Sequence, residues 1–179
     1  MTQAANTYAL VLYGLAKDEG LDKQILTELN VLNQAFGQEP GFLRLLAAPN
    51  LPKAERCGIL DESFRDQVHI YVLNFLKILT ERGYIRQFED CCKAYREHYN
   101  ADHGILNVQA VTAVALTEAQ EARLTEKLSK LTGKTIELTN RVDPAVLGGV
   151  RLDYDGKRVD GTVKNRLDHV RDLLKNTVL

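Results

Sequence analysis

The spacing of the apolar residues changes near residue 103, and this change restricts the fold more than any other feature of the sequence. Up to that point apolar residues recur every three or four positions, which is the spacing of one face of an α-helix. After His103-Gly104 they recur at every second position, from Leu106 to Val114, which is typical of a strand with one buried face. We therefore predict an α+β fold class with two domains, residues 1–103 and 104–179.

The N-terminal part is predicted to form a six-helix bundle. Helix-breaking residues stand beside the ends of the periodic runs: Gly20, Gly37, Pro40-Gly41, Pro49, Pro52 and Gly83. One helix should run from about Pro52 to Glu62, since a proline in a first turn has no N–H to leave unpaired. Connections this short favour antiparallel neighbours, as in a bundle.

The C-terminal part is predicted to form a small α/β unit with a β-hairpin and two helices. Thr117 and Gln120 have the spacing of a capping box, and Gly133 is placed to end the helix that the box begins. Asp155-Gly156 has the turn chemistry of a hairpin, between a strand that begins at Gly148-Gly149 and a strand at residues 157–159. The apolar positions expected on the inner faces of the other elements are Leu124, Leu128 and Leu131, then Ile136 and Leu138, then Val163, Leu167, Val170 and Leu174 in the last helix.

Charge and hydropathy exclude several classes of partner. Lys and Arg total 23 and Asp and Glu total 24, so the net charge of −1 provides no field for holding nucleic-acid phosphates. The longest apolar stretch, residues 68–79, carries Asn74 and Lys77 and is too short to span hydrocarbon, so no direct membrane insertion is expected. The first residues lack the features of a secretory signal, which favours a cytosolic location, and the odd number of cysteines favours reduced thiols.

No motif predicts a catalytic residue or a cofactor. Gly133-Lys134-Thr135 ends like a phosphate-binding loop, but Leu128 stands where that loop requires glycine, and a helix C-cap is the better interpretation. His69 and His169 have no nucleophile or orienting carboxylate beside them in the sequence.

Metal sites are equally disfavoured. The four possible zinc ligands lack the spaced pairs of structural zinc sites: Cys91, Cys92, His98 and His103. Asp153, Asp155 and Asp160 lack the spacing of an EF-hand, so turn and cap roles are the better interpretation.

Two predicted helices carry more apolar surface than one core requires. In residues 4–16, Leu10 and Tyr13 lie off the stripe formed by Tyr8, Leu12 and Leu15. In residues 68–79, a set lies off the core stripe: Ile70, Leu73, Asn74 and Ile78. Either these helices are buried on all sides, or they receive an amphipathic helix from another chain.

Residues 147–152 and 155–167 resemble the C-terminal signature of the F-type ATP synthase delta subunit family, to which the mitochondrial oligomycin-sensitivity-conferring protein belongs. The signature positions in this chain are Gly148, Gly149, Asp160, Gly161, Thr162, Arg166 and Leu167. Thr162 stands where serine is usual in the family. Tyr8-Ala9 and the run that ends at Gly83-Tyr84 are also similar to the family, so the resemblance covers essentially the whole chain.

The resemblance implies a non-catalytic stator subunit without a cofactor, at the cytoplasmic face of the bacterial cell membrane. In the family the N-terminal bundle receives the N-terminal helix of an alpha subunit between its first and fifth helices, and the C-terminal unit holds the b subunits of the peripheral stalk. The matching groove positions here are Tyr8, Val11, Asn74 and Ile78. The alternatives are a small enzyme that uses Lys134 or the acidic residues 153–160 on a phosphorylated substrate, and a free-standing helical adaptor.

Overall fold

A computed structural model describes residues 2–146, 148–163 and 165. Its helices and strands, in chain order, are α1 (Gln3–Asp18), α2 (Asp22–Gln38), α3 (Pro40–Leu46), α4 (Lys53–Phe64), α5 (Ile70–Arg82), a 3-10 turn (Ile85–Gln87), α6 (Phe88–Asp102), β1 (Ile105–Thr112), α7 (Glu118–Thr132), β2 (Thr135–Val142), β3 (Val150–Tyr154) and β4 (Lys157–Asp160). The predicted mixture of helix and sheet is confirmed. Most of the predicted last helix, including the signature residues Arg166 and Leu167, lies outside the described residues.

The chain divides into two compact units, Met1–Asn100 and Ala101–Leu179. Helices α1 to α6 belong to the first unit apart from the last two residues of α6, and the sheet and α7 belong to the second. The predicted boundary, after residue 103, lies just beyond this division. Separate roles for the two parts stay a prediction.

One apolar core holds the first unit together. It draws buried side chains from all six α-helices, and at one end four aromatic rings, Phe36, Phe42, Phe64 and Phe88, pack face to face or edge to face with centroids 5.1 to 6.0 Å apart. Such ring pairs stabilise a core beyond the area they bury. Elsewhere in the core the Tyr95 hydroxyl donates a 3.0 Å hydrogen bond to the carbonyl of Asp22.

The second unit is a four-stranded sheet in the order β2-β1-β3-β4. β1 and β2 are parallel and joined through α7, whereas β3 is antiparallel to both β1 and β4. Leu106, Val108 and Ile136 form the buried core of this unit, against which Leu128 of α7 packs. The capping box at Thr117 and Gln120 and the left-handed Gly133 at the end of α7 are confirmed.

Three details of the second unit differ from the predictions. Val114 is 74% exposed, because β1 ends at Thr112, whose hydroxyl donates to the Val114 carbonyl and ends the extended run. Leu131 is 82% exposed, because α7 has no buried residue and touches the small sheet only along a narrow stripe. Val111 is buried although it lies on the opposite face from Val108, because β1 is a central strand that places it between Arg141 and Arg151 of its neighbours.

Candidate functional site

Helices α1 and α5 run antiparallel and leave a groove between them. At one end the Tyr71 hydroxyl of α5 donates a hydrogen bond to Glu19, just after α1. At the other end the rings of Tyr8 and Tyr84 meet with centroids 5.9 Å apart. These two contacts hold the walls of the groove at both ends.

The groove is mostly apolar and has a volume of about 450 Å³. It is lined by Thr7, Tyr8, Val11, Leu12, Leu15, Tyr71, Asn74, Phe75 and Ile78. The structure therefore brings together all four residues that the resemblance placed in a docking groove.

Large apolar side chains in the groove are exposed to solvent. Val11 is 58% exposed, Leu15 50% and Ile78 44%. Neighbouring exposed apolar side chains of this kind mark interaction surfaces more often than scattered single ones do. Part of the surplus apolar surface that the sequence predicts for these two helices is thus exposed in the folded chain.

The structure corrects the face that the sequence assigned to Leu15, and it decides two positions whose burial the sequence left open. Leu15, expected on the core stripe of α1, lines the groove instead. Tyr13 and Leu73, expected off the core stripes, are buried. The reason is that core residues contact α1 and α5 over a wide arc: Tyr13, for example, packs edge-on against Tyr95 of α6 with centroids 5.4 Å apart.

The N-terminal end of α5, which forms part of the groove wall, is held by polar contacts that the sequence did not reveal. The ring Nδ1 of His69 accepts a 3.3 Å hydrogen bond from the Tyr71 amide and caps the helix. The His69 amide in turn donates to a carboxylate oxygen of Glu28 at 2.7 Å. The hydrogen bond to Glu19 raises the pKa of the Tyr71 hydroxyl, which therefore stays a donor. No local sequence signal predicts contacts between residues as far apart in the chain as Glu28 and His69 or Glu19 and Tyr71.

The described part of the C-terminal signature joins the start of β3 to the segment that follows β4. The amide of Gly161 donates to the Val150 carbonyl, and the amide of Val163 donates to the Gly148 carbonyl, each at 3.0 Å. A Cβ atom on Gly149 would lie 2.6 Å from the Gly161 carbonyl oxygen, a distance that forces the backbone apart. Because Gly149 has no Cβ atom, the two backbone segments can approach closely.

Asp160 and Thr162 order the chain just after β4. A carboxylate oxygen of Asp160 accepts a 2.9 Å hydrogen bond from the Thr162 amide. Hydrogen bonding from Thr162, first through its side chain and then through this amide, holds the pKa of Asp160 below its ordinary value. The buried Thr162 hydroxyl accepts from the Asn165 amide at 3.3 Å, as an N-cap residue does. These contacts agree with a structural role for the motif residues Asp160, Gly161 and Thr162.

The residues considered for metal or phosphate chemistry do not lie in surroundings typical of such sites. Burial raises the pKa of Cys91 to about 12 and also raises that of Cys92, so both stay protonated thiols. Within the described residues no group of three or more His, Cys, Asp and Glu side chains is placed to hold a metal ion. Lys134 is an exposed residue between α7 and β2, in the reverse of the strand-loop-helix order of a phosphate-binding loop.

Comparison with known proteins places this fold in one family. The family model for the ATP synthase delta (OSCP) subunit matches residues 4–174. The ATP synthase subunit delta of Alkaliphilus oremlandii is 33% identical over 172 residues, which is 96% of each chain. The protein of the same name from Clostridioides difficile is 30% identical over 97% of each chain.

A solved structure shows the same fold. A chain in the cryo-EM structure of the Toxoplasma gondii mitochondrial ATP synthase hexamer superposes with a TM-score of 0.73, at 18% identity, over 97% of this chain and 98% of that chain. In the described part of the chain no helix combines the length and hydropathy that a membrane span requires.

These matches extend over nearly the whole chain. The chain therefore belongs to the ATP synthase delta (OSCP) subunit family, and it is a non-catalytic, peripheral stator subunit of F-type ATP synthase that binds the alpha subunit and the peripheral stalk in a hetero-oligomeric complex.

Proposed function

We propose that the groove between α1 and α5 receives the N-terminal helix of the alpha subunit, with Tyr8, Val11, Asn74 and Ile78 in the contact. The observation that carries this proposal is that these four residues line one mostly apolar groove with exposed aliphatic side chains. An amphipathic helix buries its apolar face in such a groove, and the buried area drives the association.

The antiparallel arrangement of α1 and α5 suits a helix better than a compact ligand. Two neighbouring helices offer ridges and grooves along their common length, into which the side chains of a third helix interdigitate. The walls are fixed at one end by the hydrogen bond between Tyr71 and Glu19, and at the other by the Tyr8 and Tyr84 rings. A groove that is already formed lowers the ordering cost of binding.

The helices α1 to α6 act in this proposal as a six-helix bundle, residues 1–103, that presents the groove to the catalytic head. Residues 104–179 hold the b subunits of the peripheral stalk. A link of this kind has to resist the torque of rotation, so that proton-driven rotation is coupled to ATP synthesis. The curated relatives are bacterial, which supports a location at the cytoplasmic face of the bacterial cell membrane.

A charge in the groove tests the assignment of the head-binding site. Ile78→Asp should weaken binding to the alpha-subunit helix by about 2 kcal/mol or more, because the new carboxylate loses its hydration in an apolar contact. Binding of purified full-length protein to the catalytic head is measured by calorimetry, and the melting temperature is measured alongside.

Val31→Asp is the matched control, because Val31 is 61% exposed and lies on α2 outside the groove. We expect it to bind the head as tightly as the wild type does. If Ile78→Asp bound with the wild-type affinity, the α1/α5 groove would not be the head-binding site.

A truncation tests the division between the two units. A protein that ends near Gly104 should still bind the catalytic head and should lose binding to stalk subunits in a reconstitution assay. If the truncated protein still bridged head and stalk with ATP synthesis intact, the C-terminal unit would not be the stalk-binding part.

A further inference from the structure

We propose that Asn74 sets the register of the helix that docks in the α1/α5 groove, by requiring a polar side chain at its own level on an otherwise apolar helix face. The inference rests on the proposed function of the groove. It predicts which partner helices fit the groove and at which position along it they bind.

Asn74 is a polar position within an apolar surface. On α5 it lies one turn from Ile70 on one side and one turn from Ile78 on the other, and these isoleucines are 53% and 44% exposed. Val11 and Leu15 of α1 line the same groove. A docked apolar stripe would therefore meet aliphatic side chains along its length and one carboxamide between them.

The carboxamide of Asn74 has no hydrogen-bond partner within the described residues. Two other polar side chains at the groove already form hydrogen bonds within the protein. The Thr7 hydroxyl donates to the Gln3 carbonyl at 3.0 Å, and the Tyr71 hydroxyl donates to Glu19. The Tyr8 hydroxyl also lacks a partner among these residues, but its ring packs on Tyr84 at the end of the groove.

Docking changes the surroundings of this carboxamide. In the free protein Asn74 is exposed, so water satisfies its two N–H donors and its carbonyl acceptor. A helix seated in the groove excludes that water, and an apolar residue opposite Asn74 would leave buried donors and an acceptor unpaired. A polar side chain at that level would pair with the carboxamide instead.

Displacement of the docked helix by one turn would bring an apolar residue over Asn74 and a polar residue over Ile70 or Ile78. Both changes are unfavourable, so one register is preferred. A single buried asparagine in the core of a coiled coil selects register in the same way, at some cost in stability. We accordingly expect Asn74 to lower the affinity of the groove and to raise its selectivity.

The test uses full-length protein and a synthetic peptide of the N-terminal segment of the alpha subunit from the same organism. Further peptides carry leucine at each polar position of the apolar face in turn. With the wild type, one of these substitutions should weaken binding by about tenfold in calorimetry. The Asn74→Leu variant should show the reverse preference. It should bind the leucine peptide that the wild type binds weakly, and should bind the parent peptide less tightly than that leucine peptide.

Val31→Leu is the matched control, because Val31 is an exposed aliphatic residue of α2 outside the groove and this variant keeps the Asn74 carboxamide. It should show the wild-type preference among the peptides. A nitroxide on the peptide N-terminus gives a second readout by NMR. In the wild type it should broaden the protein's amide resonances at one end of the groove. In Asn74→Leu it should also broaden the amide resonances one helical turn further along.

The outcomes separate this inference from the proposed function. If the wild type bound no peptide, the head-binding role of the groove and the role of Asn74 would both be overturned. If the wild type bound the parent peptide, and either no leucine substitution weakened binding or Asn74→Leu kept the wild-type preference, only the role of Asn74 would be overturned.

Discussion

At the scale of single residues, Gly149 shows how one backbone position determines the local structure of the C-terminal unit. Its φ of 84° lies in the left-handed region that side chains disfavour, and its missing Cβ makes room for the backbone of Gly161 and Thr162. Both requirements point to glycine. The close approach brings the amides of Gly161 and Val163 within hydrogen-bond distance of the carbonyls of Val150 and Gly148.

Gly149→Ala should destabilise the C-terminal unit by about 2 kcal/mol or more, because it combines left-handed strain with a clash against backbone atoms. Hydrogen exchange at the amides of Gly161 and Val163 measures the effect locally. Gly58→Ala is the control: Gly58 lies in α4 with no heavy atom near the place of a Cβ, so alanine should stabilise by about 0.5 to 1 kcal/mol. Unchanged exchange in Gly149→Ala would show that the backbone relaxes without cost.

At the scale of elements, the hairpin of β3 and β4 combines a tight turn with opposite charges across its strands. Asp155 and Gly156 both have positive φ, of 45° and 69°, as a two-residue hairpin turn of the favoured hand requires. The carboxylate of Asp153 lies 2.8 Å from Arg158 Nε and 3.3 Å from Arg151 Nε. Opposite charges at facing positions favour the observed register.

The same carboxylate predicts how the hairpin responds to acid. The hydrogen bond and charge of Arg158, with a contribution from Arg151, hold the pKa of Asp153 below its ordinary value of 3.8. A carboxyl whose pKa is lower in the folded state stabilises the fold above its unfolded pKa, and this contribution is lost as the pH falls through the folded value. The stability of the C-terminal unit should therefore decrease as the pH is lowered below about 5.

Asp153→Asn should make this decrease shallower, because one of the groups that take up a proton on unfolding is gone. Urea unfolding between neutral pH and pH 3, followed by hydrogen exchange in β3 and β4, measures the slope. Asp155→Asn is the control, since it removes a carboxylate of the same hairpin without breaking an ion pair. An equally steep decrease in Asp153→Asn and wild type would contradict the assignment.

At the scale of the whole molecule, each unit has a core of its own. The larger core draws on α1 to α6, and the smaller core on the sheet and α7. A unit that buries its own apolar surface is able to fold without the other. This separation suits a subunit whose two units are proposed to bind different parts of one complex.

A fragment of residues 1–102 should therefore be helical and should unfold in one cooperative transition on heating. Circular dichroism measures both properties, and limited proteolysis of the full chain should cut first near residues 100–106. A fragment without cooperative unfolding would show that the first unit depends on the second.

Local patterns were sufficient to predict most elements of this protein. The capping box at Thr117, the C-cap at Gly133 and the hairpin turn at Asp155-Gly156 all depend on neighbouring residues, and the structure shows each of them. The change of period near residue 103 likewise reports local backbone geometry, since helices repeat every 3.6 residues and strands every two. The resemblance to the family added the expected location of the groove.

Only the tertiary structure decided which apolar faces are covered. The sequence placed Leu15 on the core stripe of α1 and Tyr13 off it, whereas the structure exposes the first and buries the second. The reason is physical: periodicity shows that residues share a helix face, whereas burial depends on which other elements pack against that face. For the same reason the contact of Tyr71 with Glu19, 52 positions apart, became visible only in the folded chain.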